Sequence, residues 1–367
     1  AKARREVAMA HFDRNFPPLG GGGGGAPHWD DWDPTAAHGG ITGHIPALGG
    51  APPSPLTLGG SAQPFSSSGA LSPAALAANA RAAMEDYLTI EYDVDHPGFV
   101  EIYDELIVPQ WSQPFGRLLL SAFLTQARNT GWQVLDVACG TGYPTIDLAR
   151  FLGQDCDVAG LDPWEAAIRR AKDKARDEWL SNVTFVAASI TQNNLPDGVF
   201  DTITCNLGLP SFADRLAALG GMARLLHPGG HLLLTTPLQT AMREFLDIYY
   251  LTLRDLKLTD YQHALRRVVE SRPTVAGARS LIESAGFEVE RAVTDQFVMR
   301  FPDPRAFLSS IVVQTTFMRA WRSIIPDVTM RRLIFNEVER RLAARAAASG
   351  GALQLTVPMV CLVARRL

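Results

Sequence analysis

Two glycines that follow an apolar run are the residues best suited to chemistry in this sequence. The stretch VLDVACGTGYPT carries Gly140 and Gly142 directly after the apolar residues 132–138. Glycine lets the backbone approach a ligand at a distance where a side chain would collide. A helix is predicted to begin near Pro144, and its first turn presents unpaired N–H groups and a positive dipole end. This arrangement is typical of a nucleotide-type binding turn at the carboxyl edge of a parallel sheet.

An acidic residue further along the chain fits the same kind of site. Asp162 ends the next apolar run, and its carboxylate can accept hydrogen bonds from both ribose hydroxyls. A dinucleotide fingerprint requires glycine or alanine at position 145, where this chain has Thr145. No Lys-Ser/Thr pair completes a phosphate-binding P-loop. A nicotinamide-dependent oxidoreductase is therefore disfavoured, although it stays open as an alternative.

Regular elements must position these residues, and the sequence predicts them from about residue 73 onward. Apolar runs with strand character alternate with helical patterns, which indicates an α/β domain with a mostly parallel sheet. The runs cover residues 132–138, 156–162, 183–188, 200–206, 230–237, 287–299 and 353–365. After the second run an apolar stripe recurs at helical spacing and is expected to face the core: Trp164, Ile168, Ala171, Ala175 and Trp179.

Composition narrows the function classes. The formal net charge is −4 and the isoelectric point about 6.1, which disfavours a general nucleic-acid binder. No apolar run approaches the ~18 residues that a transmembrane helix needs. The four cysteines form no CxxC pair and lie in or beside apolar runs, so buried free thiols are predicted. A cytoplasmic protein is expected, with peripheral attachment to a membrane complex left open.

Five motifs in the right order resemble class I S-adenosylmethionine-dependent methyltransferases, and in particular the branch that includes the ubiquinone and menaquinone biosynthesis methyltransferases. The motifs are VLDVACGTGYPTIDLAR, GLDPWEAAIRRAK, LPDGVFDTITCNLGLPSFAD, MARLLHPGGHLLLTTP and LIESAGFEVE. The resemblance covers about residues 98–300 and the final strand. It implies a Rossmann-like, seven-stranded, mostly parallel sheet with helices on both faces and the last strand antiparallel. It also implies S-adenosylmethionine as the cofactor.

The resemblance further implies roles for individual residues near this cofactor. Asp136 would hold the methionine amino group, directly or through water, and Asp162 would bind the ribose hydroxyls. Lining the methionine and ribose would be Ala138, Gly140 and Gly142. The adenine would lie near Pro163 and Trp164 and would be flanked by Ser189 and Ile190, and the floor near the methyl group would be formed by Asn206 and Leu207. Ser189 departs from the family pattern, which usually has Asp there. The lost charge is expected to weaken cofactor binding by about 1 kcal/mol.

Neither a catalytic residue nor a metal ligand is assigned from the sequence. Methyl transfer from a sulfonium is an in-line displacement, so the protein mainly aligns the reactants and excludes water. A general base is needed only where the acceptor must lose a proton. Because no Asn-Pro-Pro-Tyr-type motif is present, oxygen or carbon of a small molecule is the favoured acceptor. Residues 238–280 and 302–348 are expected to recognise it, with candidate pocket groups that would otherwise pack on a helical lid: Tyr249, Tyr250, Tyr261 and His263.

The first 72 residues differ in character from the rest of the chain. Glycine and proline dominate them, including six consecutive glycines at 20–25, so this segment cannot bury enough surface to order itself. Its aromatic residues suit pocket-by-pocket docking on a protein partner: Phe12, Phe16, Trp29, Trp32 and Phe65. Residues 1–72 are therefore predicted to be an extended docking arm and residues 73–367 a methyltransferase-like domain. The irregular spacing of the arm's histidines disfavours a metal site.

The arm supports an alternative to a free-standing enzyme. The chain would then be a methyltransferase-fold accessory subunit that its arm pins to a larger complex, with catalysis retained or lost. Deletion of residues 1–70 should leave the domain folded and able to bind cofactor, but should release it from its partners. Co-purification of full-length and truncated chains checks this. A truncated chain that retains every partner would contradict the docking hypothesis.

Overall fold

The computed structural model describes residues 86–94, 96, 98–126 and 131–367. The predicted arm over residues 1–72, with its aromatic anchors, lies outside these residues. Residues 73–85, where the predicted regular elements begin, also lie outside them. The division of the chain at residues 72 and 73 therefore stays a prediction.

Seven strands form one sheet. They are β1 Gln133–Val137, β2 Asp157–Asp162, β3 Val183–Ala187, β4 Phe200–Asn206, β5 Leu226–Pro237, β6 Phe287–Phe301 and β7 Leu353–Arg366. Their order across the sheet is β3-β2-β1-β4-β5-β7-β6. The pairs among the first five strands are parallel, whereas β7 runs antiparallel to both β5 and β6. The predicted fold, including the antiparallel last strand, is confirmed.

The helices lie before, between and after these strands. An unbroken helical run precedes the sheet and consists of α1 Phe99–Ile102, the π-helix π1 Tyr103–Ser112 and α2 Gln113–Leu124. Between the strands lie α3 Thr145–Leu152, α4 Glu165–Asp177, α5 Arg215–Leu225, α6 Arg243–Asp255, α7 Thr259–Glu270 and α8 Val275–Glu283. Before β7 come α9 Pro304–Ser309, α10 Ile311–Val313, the π-helix π2 Gln314–Met318, α11 Arg319–Ser323 and α12 Val328–Ala348.

Successive side chains along the strands point to opposite faces of the sheet, and each face carries its own hydrophobic core. Val134 of β1 packs in a cluster that includes side chains of α2, α3, α6 and α12. Its neighbour Leu135 points to the opposite face and joins a cluster with α5 and α8. All four residues between Leu232 and Thr235 of β5 are completely buried, as expected for a central strand covered on both sides. The four cysteines are buried free thiols, as predicted.

The predicted stripe on α4 is confirmed except at its last position. Ile168, Ala171 and Ala175 are buried, and Trp164 is half-buried. Trp179, in contrast, is 91% exposed. Helix α4 ends at Asp177 and Trp179 has a positive φ of 58°, so the backbone turns this side chain out of the helical register.

Most of the two segments expected to recognise the acceptor forms a helical cover on one face of the sheet, whereas α8 packs on the opposite face. Tyr249 is completely buried there, and its hydroxyl donates to the Trp321 carbonyl oxygen at 3.3 Å. Tyr250 and Tyr261 pack against the same core, and His263 is exposed. Tyr249 is therefore a core residue, as the alternative interpretation of these aromatics proposed.

Two adjacent glycines of α5 should respond to alanine with opposite signs. A Cβ on Gly220 would meet no atom within 4 Å, whereas a Cβ on Gly221 would lie 2.7 Å from the Ile190 carbonyl oxygen. Gly220→Ala should raise the free energy of unfolding by about 0.5–1 kcal/mol through helix propensity. Gly221→Ala should lower it by about 1–3 kcal/mol through overpacking.

Urea denaturation of both variants measures these changes, each serving as the control for the other. Equal effects of the two substitutions would show that α5 does not press against Ile190.

Candidate functional site

A crevice is expected at the carboxyl edge of the sheet, where the strand order reverses. The chain adds β2 and β3 on one side of β1, and then returns to place β4 on the other side. The connections that leave β1 and β4 therefore diverge and leave a gap between them. The predicted site residues 138–142 follow β1, Asp162 ends β2, and Asn206 ends β4. The fold thus brings these predicted residues to one edge.

The loop after β1 has an unusual backbone. Ala138, Gly140 and Gly142 have positive φ values of 59°, 52° and 94°. Gly142 donates to the Cys139 carbonyl oxygen at 2.9 Å, which closes the turn before α3. A Cβ on Gly142 would lie 3.0 Å from Cδ1 of Ile146 and 3.1 Å from Cβ of Ala171. Conformation and close packing both favour glycine at position 142.

Asp162 ties the end of β2 to this loop. Its carboxylate accepts from the Gly140 N–H and from the Trp164 N–H, each at 2.9 Å. Burial raises the pKa of Asp162, and the two backbone hydrogen bonds oppose that rise. Each carboxylate oxygen keeps acceptor capacity after these contacts, since an ionised carboxylate offers about four lone-pair positions. The geometry therefore permits two further hydrogen bonds from a diol.

Asp136 is more deeply enclosed than the sequence indicates. It is 1% exposed, and its two oxygens accept from the hydroxyls of Thr145 at 2.6 Å and Thr204 at 2.7 Å. Burial raises the pKa of Asp136 to about 6, although both hydroxyl contacts oppose the rise. Thr145, at the position where a dinucleotide fingerprint has glycine, thus has a structural role. It joins α3 to β1 beneath the glycine loop.

Tyr103 is a site residue that the sequence analysis missed. A Cβ on Gly140 would lie 3.7 Å from Cε1 of Tyr103, so the ring lies above the glycine loop. The same ring meets Trp164 edge-on, with 5.3 Å between the ring centroids. Burial raises the pKa of Tyr103, as does the negative charge of Asp162. No motif marks this tyrosine, because only the folding of π1 over the sheet edge brings it to the loop.

The neighbouring Asp104 fastens π1 to the site. Its carboxylate accepts from Thr141 of the glycine loop at 2.7 Å, from Lys174 at 2.7 Å and from Arg170 at 3.0 Å. Burial would raise the pKa of Asp104, but the hydrogen bonds from Lys174, Thr141 and Arg170 outweigh burial and lower the pKa. We call Asp104 with these three partners the Asp104 clasp. It joins the helix before the sheet to the loop and to α4.

The residues predicted to flank the adenine lie beside Asp162. Pro163 is exposed, and Trp164 is half-buried against Tyr103 and Phe99. The loop after β3 reaches the same place, because Ala188 donates to the Asp162 carbonyl oxygen at 3.1 Å. Ser189 Oγ accepts from the Thr191 N–H at 3.3 Å, and Ile190 is buried below it. The Ser189 hydroxyl is therefore engaged in its own turn.

The predicted floor residues close the β4 side of the crevice. Asn206 is 7% exposed, donates to the Ser112 carbonyl oxygen at 3.1 Å and accepts from the Thr235 hydroxyl at 2.7 Å. Leu207 has a positive φ of 64° and donates through its N–H to Thr235. Asn206 thus connects π1 to β4 and β5, and holds the end of π1 against the sheet.

Within the described ranges, no three His, Cys, Asp or Glu side chains gather as a metal site. None of the helices in those ranges combines the length and apolar character that crossing a bilayer requires.

Comparisons with known proteins agree with this architecture. Residues 128–286 match the family model described as a methyltransferase domain. A ubiquinone/menaquinone biosynthesis C-methyltransferase of Shewanella halifaxensis is 32% identical over 168 residues, which are 43% of this chain and 67% of that protein. The enzyme of the same name from Psychromonas ingrahamii is 37% identical over 123 residues, 32% of this chain and 49% of that protein.

Two solved methyltransferase structures are similar to this chain. An S-adenosylmethionine-dependent methyltransferase of Aquifex aeolicus is 19% identical with a TM-score of 0.41, covering 55% of this chain and 93% of that one. A phosphoethanolamine N-methyltransferase of Haemonchus contortus, solved with S-adenosylmethionine, is 15% identical with a TM-score of 0.43, covering 77% and 60%.

The chain belongs to the class I S-adenosylmethionine-dependent methyltransferase family. The cofactor of this family is S-adenosylmethionine, and the residues present fit it. The positive-φ turn leaves the backbone of Gly140 facing the ring of Tyr103. Beside it lies the Asp162 carboxylate, which can accept further hydrogen bonds after its two backbone contacts.

The Asp104 clasp should stabilise the fold and shape the cofactor site together. Asp104→Ala is expected to lower the free energy of unfolding by about 2 kcal/mol, because it leaves two cations and a hydroxyl without their acceptor. Since the native pKa of Asp104 is lowered, its contribution is complete above the ordinary aspartate pKa. It should fade as the pH falls through the native pKa.

Urea denaturation between pH 3 and pH 7 measures the difference between wild type and variant. Glu105→Ala is the matched control, since Glu105 is the adjacent, exposed acid of π1. An equal loss in both variants would contradict a special role for Asp104.

Proposed function

We propose that this chain transfers a methyl group from S-adenosylmethionine to oxygen or carbon of a small molecule. The observation that carries this proposal is the Asp162 carboxylate, which two backbone N–H groups hold beside the positive-φ glycine loop. The names of the curated relatives, which are C-methyltransferases, favour carbon as the acceptor atom.

The proposed cofactor residues are those that the family resemblance implies. Asp162 takes the ribose hydroxyls, because its remaining lone pairs suit a pair of O–H donors. Asp136 is buried, so we assign it an influence on the methionine amino group through its charge or through a water. The full proposed set is Asp136, Ala138, Gly140, Gly142, Asp162, Pro163, Ser189, Ile190, Asn206 and Leu207. Tyr103 and Trp164 complete it on the basis of their contacts.

Bound S-adenosylmethionine supplies an electrophilic methyl group on its sulfonium. The work of the protein is then to align the acceptor and to exclude water. Tyr103 and π1 close the crevice from above, and Asn206 and Leu207 close it from below. Because the pKa of Tyr103 is raised, its phenol is neutral at physiological pH and can serve as a hydrogen-bond donor.

The alternative of an accessory subunit depends on residues 1–72, which lie outside the described residues. It stays a prediction, as does the assignment of residues 73–367 to one methyltransferase domain. Peripheral association with a membrane complex is likewise a prediction.

Replacement of Asp162 should weaken cofactor binding strongly. Asp162→Ala removes the acceptor for the ribose hydroxyls and for the Gly140 N–H, so the Kd for S-adenosylmethionine should rise at least about tenfold. Calorimetric titration of the full-length chain measures the Kd.

Asp157→Ala is the matched control, since Asp157 is an exposed aspartate at the opposite end of the same strand. Its Kd should match that of wild type. A wild-type chain that shows no cofactor binding would overturn the proposed function. An unchanged Kd in Asp162→Ala would remove Asp162 from the site.

A further inference from the structure

A second concave region lies at the same edge of the sheet, beside the ends of β4 and β5. It is a cavity of about 400 Å³. The residues that matter in its lining are Leu209, Arg215, Gln239, Glu270, Arg272 and Leu281. Leu209 begins the short turn after β4, and Gln239 lies two residues beyond the end of β5. None of the aromatic pocket candidates from the sequence contributes to this lining.

Arg272 is the most unusual side chain of this cavity. Its guanidinium lies 5.1 Å from the centre of the Phe317 ring, and its Nη1 donates to the Ala241 carbonyl oxygen at 3.1 Å. Burial lowers the pKa of Arg272 to about 10, so the group is still charged at neutral pH. Among the described residues, no carboxylate forms an ion pair with it within 4 Å. A guanidinium has five N–H donors, and within the described ranges only the Nη1 group of Arg272 donates to a protein acceptor.

Two further donors line the same cavity. Arg215 is half-buried at the start of α5 and has no ion pair with any residue that the structure describes. Gln239 is only 8% exposed, and within the described ranges its side-chain amide has no hydrogen-bond partner. The carboxylate of Glu270 is the only negative charge in the lining, and that side chain is exposed. Two guanidiniums against one carboxylate leave one positive charge, which a monoanion would balance.

Contacts connect this cavity to the proposed methyl site. Phe317, under the Arg272 guanidinium, meets Trp111 edge-on with 5.2 Å between the ring centroids. The next residue, Ser112, accepts the hydrogen bond from Asn206 at the end of β4. On the other side, Leu209 lies two residues beyond Leu207. The cavity therefore adjoins the floor of the crevice.

We propose that this cavity binds the methyl acceptor through a carboxylate, which Arg272 holds with Arg215 and Gln239 as additional donors. The inference rests on the proposed function and assigns its substrate class: a small acid with one negative charge. The planar guanidinium matches a carboxylate in a bidentate geometry. Leu281, which is half-buried in the lining, supplies an apolar contact for the rest of the acceptor.

Matched pairs of ligands test the carboxylate preference by calorimetry on the full-length chain. The pairs are 4-hydroxybenzoate with 4-hydroxybenzamide, and indole-3-acetate with indole-3-acetamide, because each pair differs mainly in charge. For at least one pair, the Kd of wild type for the acid should be at least about tenfold lower than its Kd for the amide. Absence of binding by both acids, or equal affinities within both pairs, would overturn the inference. Tighter binding of phenyl phosphate than of either acid would overturn the assignment of a carboxylate.

Variants separate charge recognition from structural support. Arg272→Gln should reduce the acid-to-amide affinity ratio to near one, whereas Arg272→Lys, which keeps the charge, should retain a preference for the acid. A merely structural Arg272 would weaken acid and amide equally and leave the ratio unchanged. Arg215→Gln should lower the ratio with little effect on folding. Arg266→Gln is the control, since Arg266 is exposed on α7 outside the lining.

The same titrations with S-adenosylmethionine distinguish this inference from the proposed function. Intact cofactor binding without an acid preference would overturn only the acceptor class. Absence of cofactor binding by wild type would overturn the proposed function itself.

Discussion

The site exists because the chain reverses, at β1, the direction in which it adds strands to the sheet. Parallel pairing of β1 with both β2 and β4 places three strand ends at one edge, and the diverging connections keep that edge open. The carboxylate of Asp162 then fixes the geometry of the gap, since it accepts N–H groups from the glycine loop and from Trp164. Below the loop, Asp136 joins β1, β4 and α3 through two threonine hydroxyls. The buried carboxylate of Asp136 and the half-buried one of Asp162 therefore have hydrogen-bond partners that offset the cost of removing them from water.

Segments that are distant in sequence close this gap on its upper side. Helix π1 precedes the sheet, and the Asp104 clasp and Asn206 attach its two ends to the glycine loop and to β4. A π-helix is uncommon and is frequently found at functional sites. Here it brings Tyr103 over Gly140 and Trp111 onto Phe317. One helix thus contacts both the proposed cofactor crevice and the Phe317 ring on which Arg272 stacks, which makes its position a common requirement of the two proposed sites.

The positive charges near the site have two different environments. Arg170 and Lys174 share the carboxylate of Asp104, so they serve the cohesion of the fold. Arg272 and Arg215 have no such carboxylate among the described residues, and they line a cavity. Burial of the Arg272 guanidinium costs free energy, which its contact with the Phe317 ring offsets in part and a bound anion would offset further, and this supports the proposed carboxylate site.

The sequence by itself determined the positions of the strands along the chain, the glycine turn and the acid at the end of β2, because these depend on local patterns with short spacing. It also led to the antiparallel last strand through the resemblance of five ordered motifs. It could not show that the hydroxyl of Thr145 donates a hydrogen bond to Asp136. Nor could it show that Trp179 is exposed, which follows from the left-handed backbone conformation of that residue. Tyr103, the Asp104 clasp and the Arg272 cavity were invisible in the sequence. Their partners lie far away along the chain, as the 66 and 70 positions between Asp104 and its two cations illustrate. Only the folded sheet and its helical cover bring such groups within hydrogen-bonding distance.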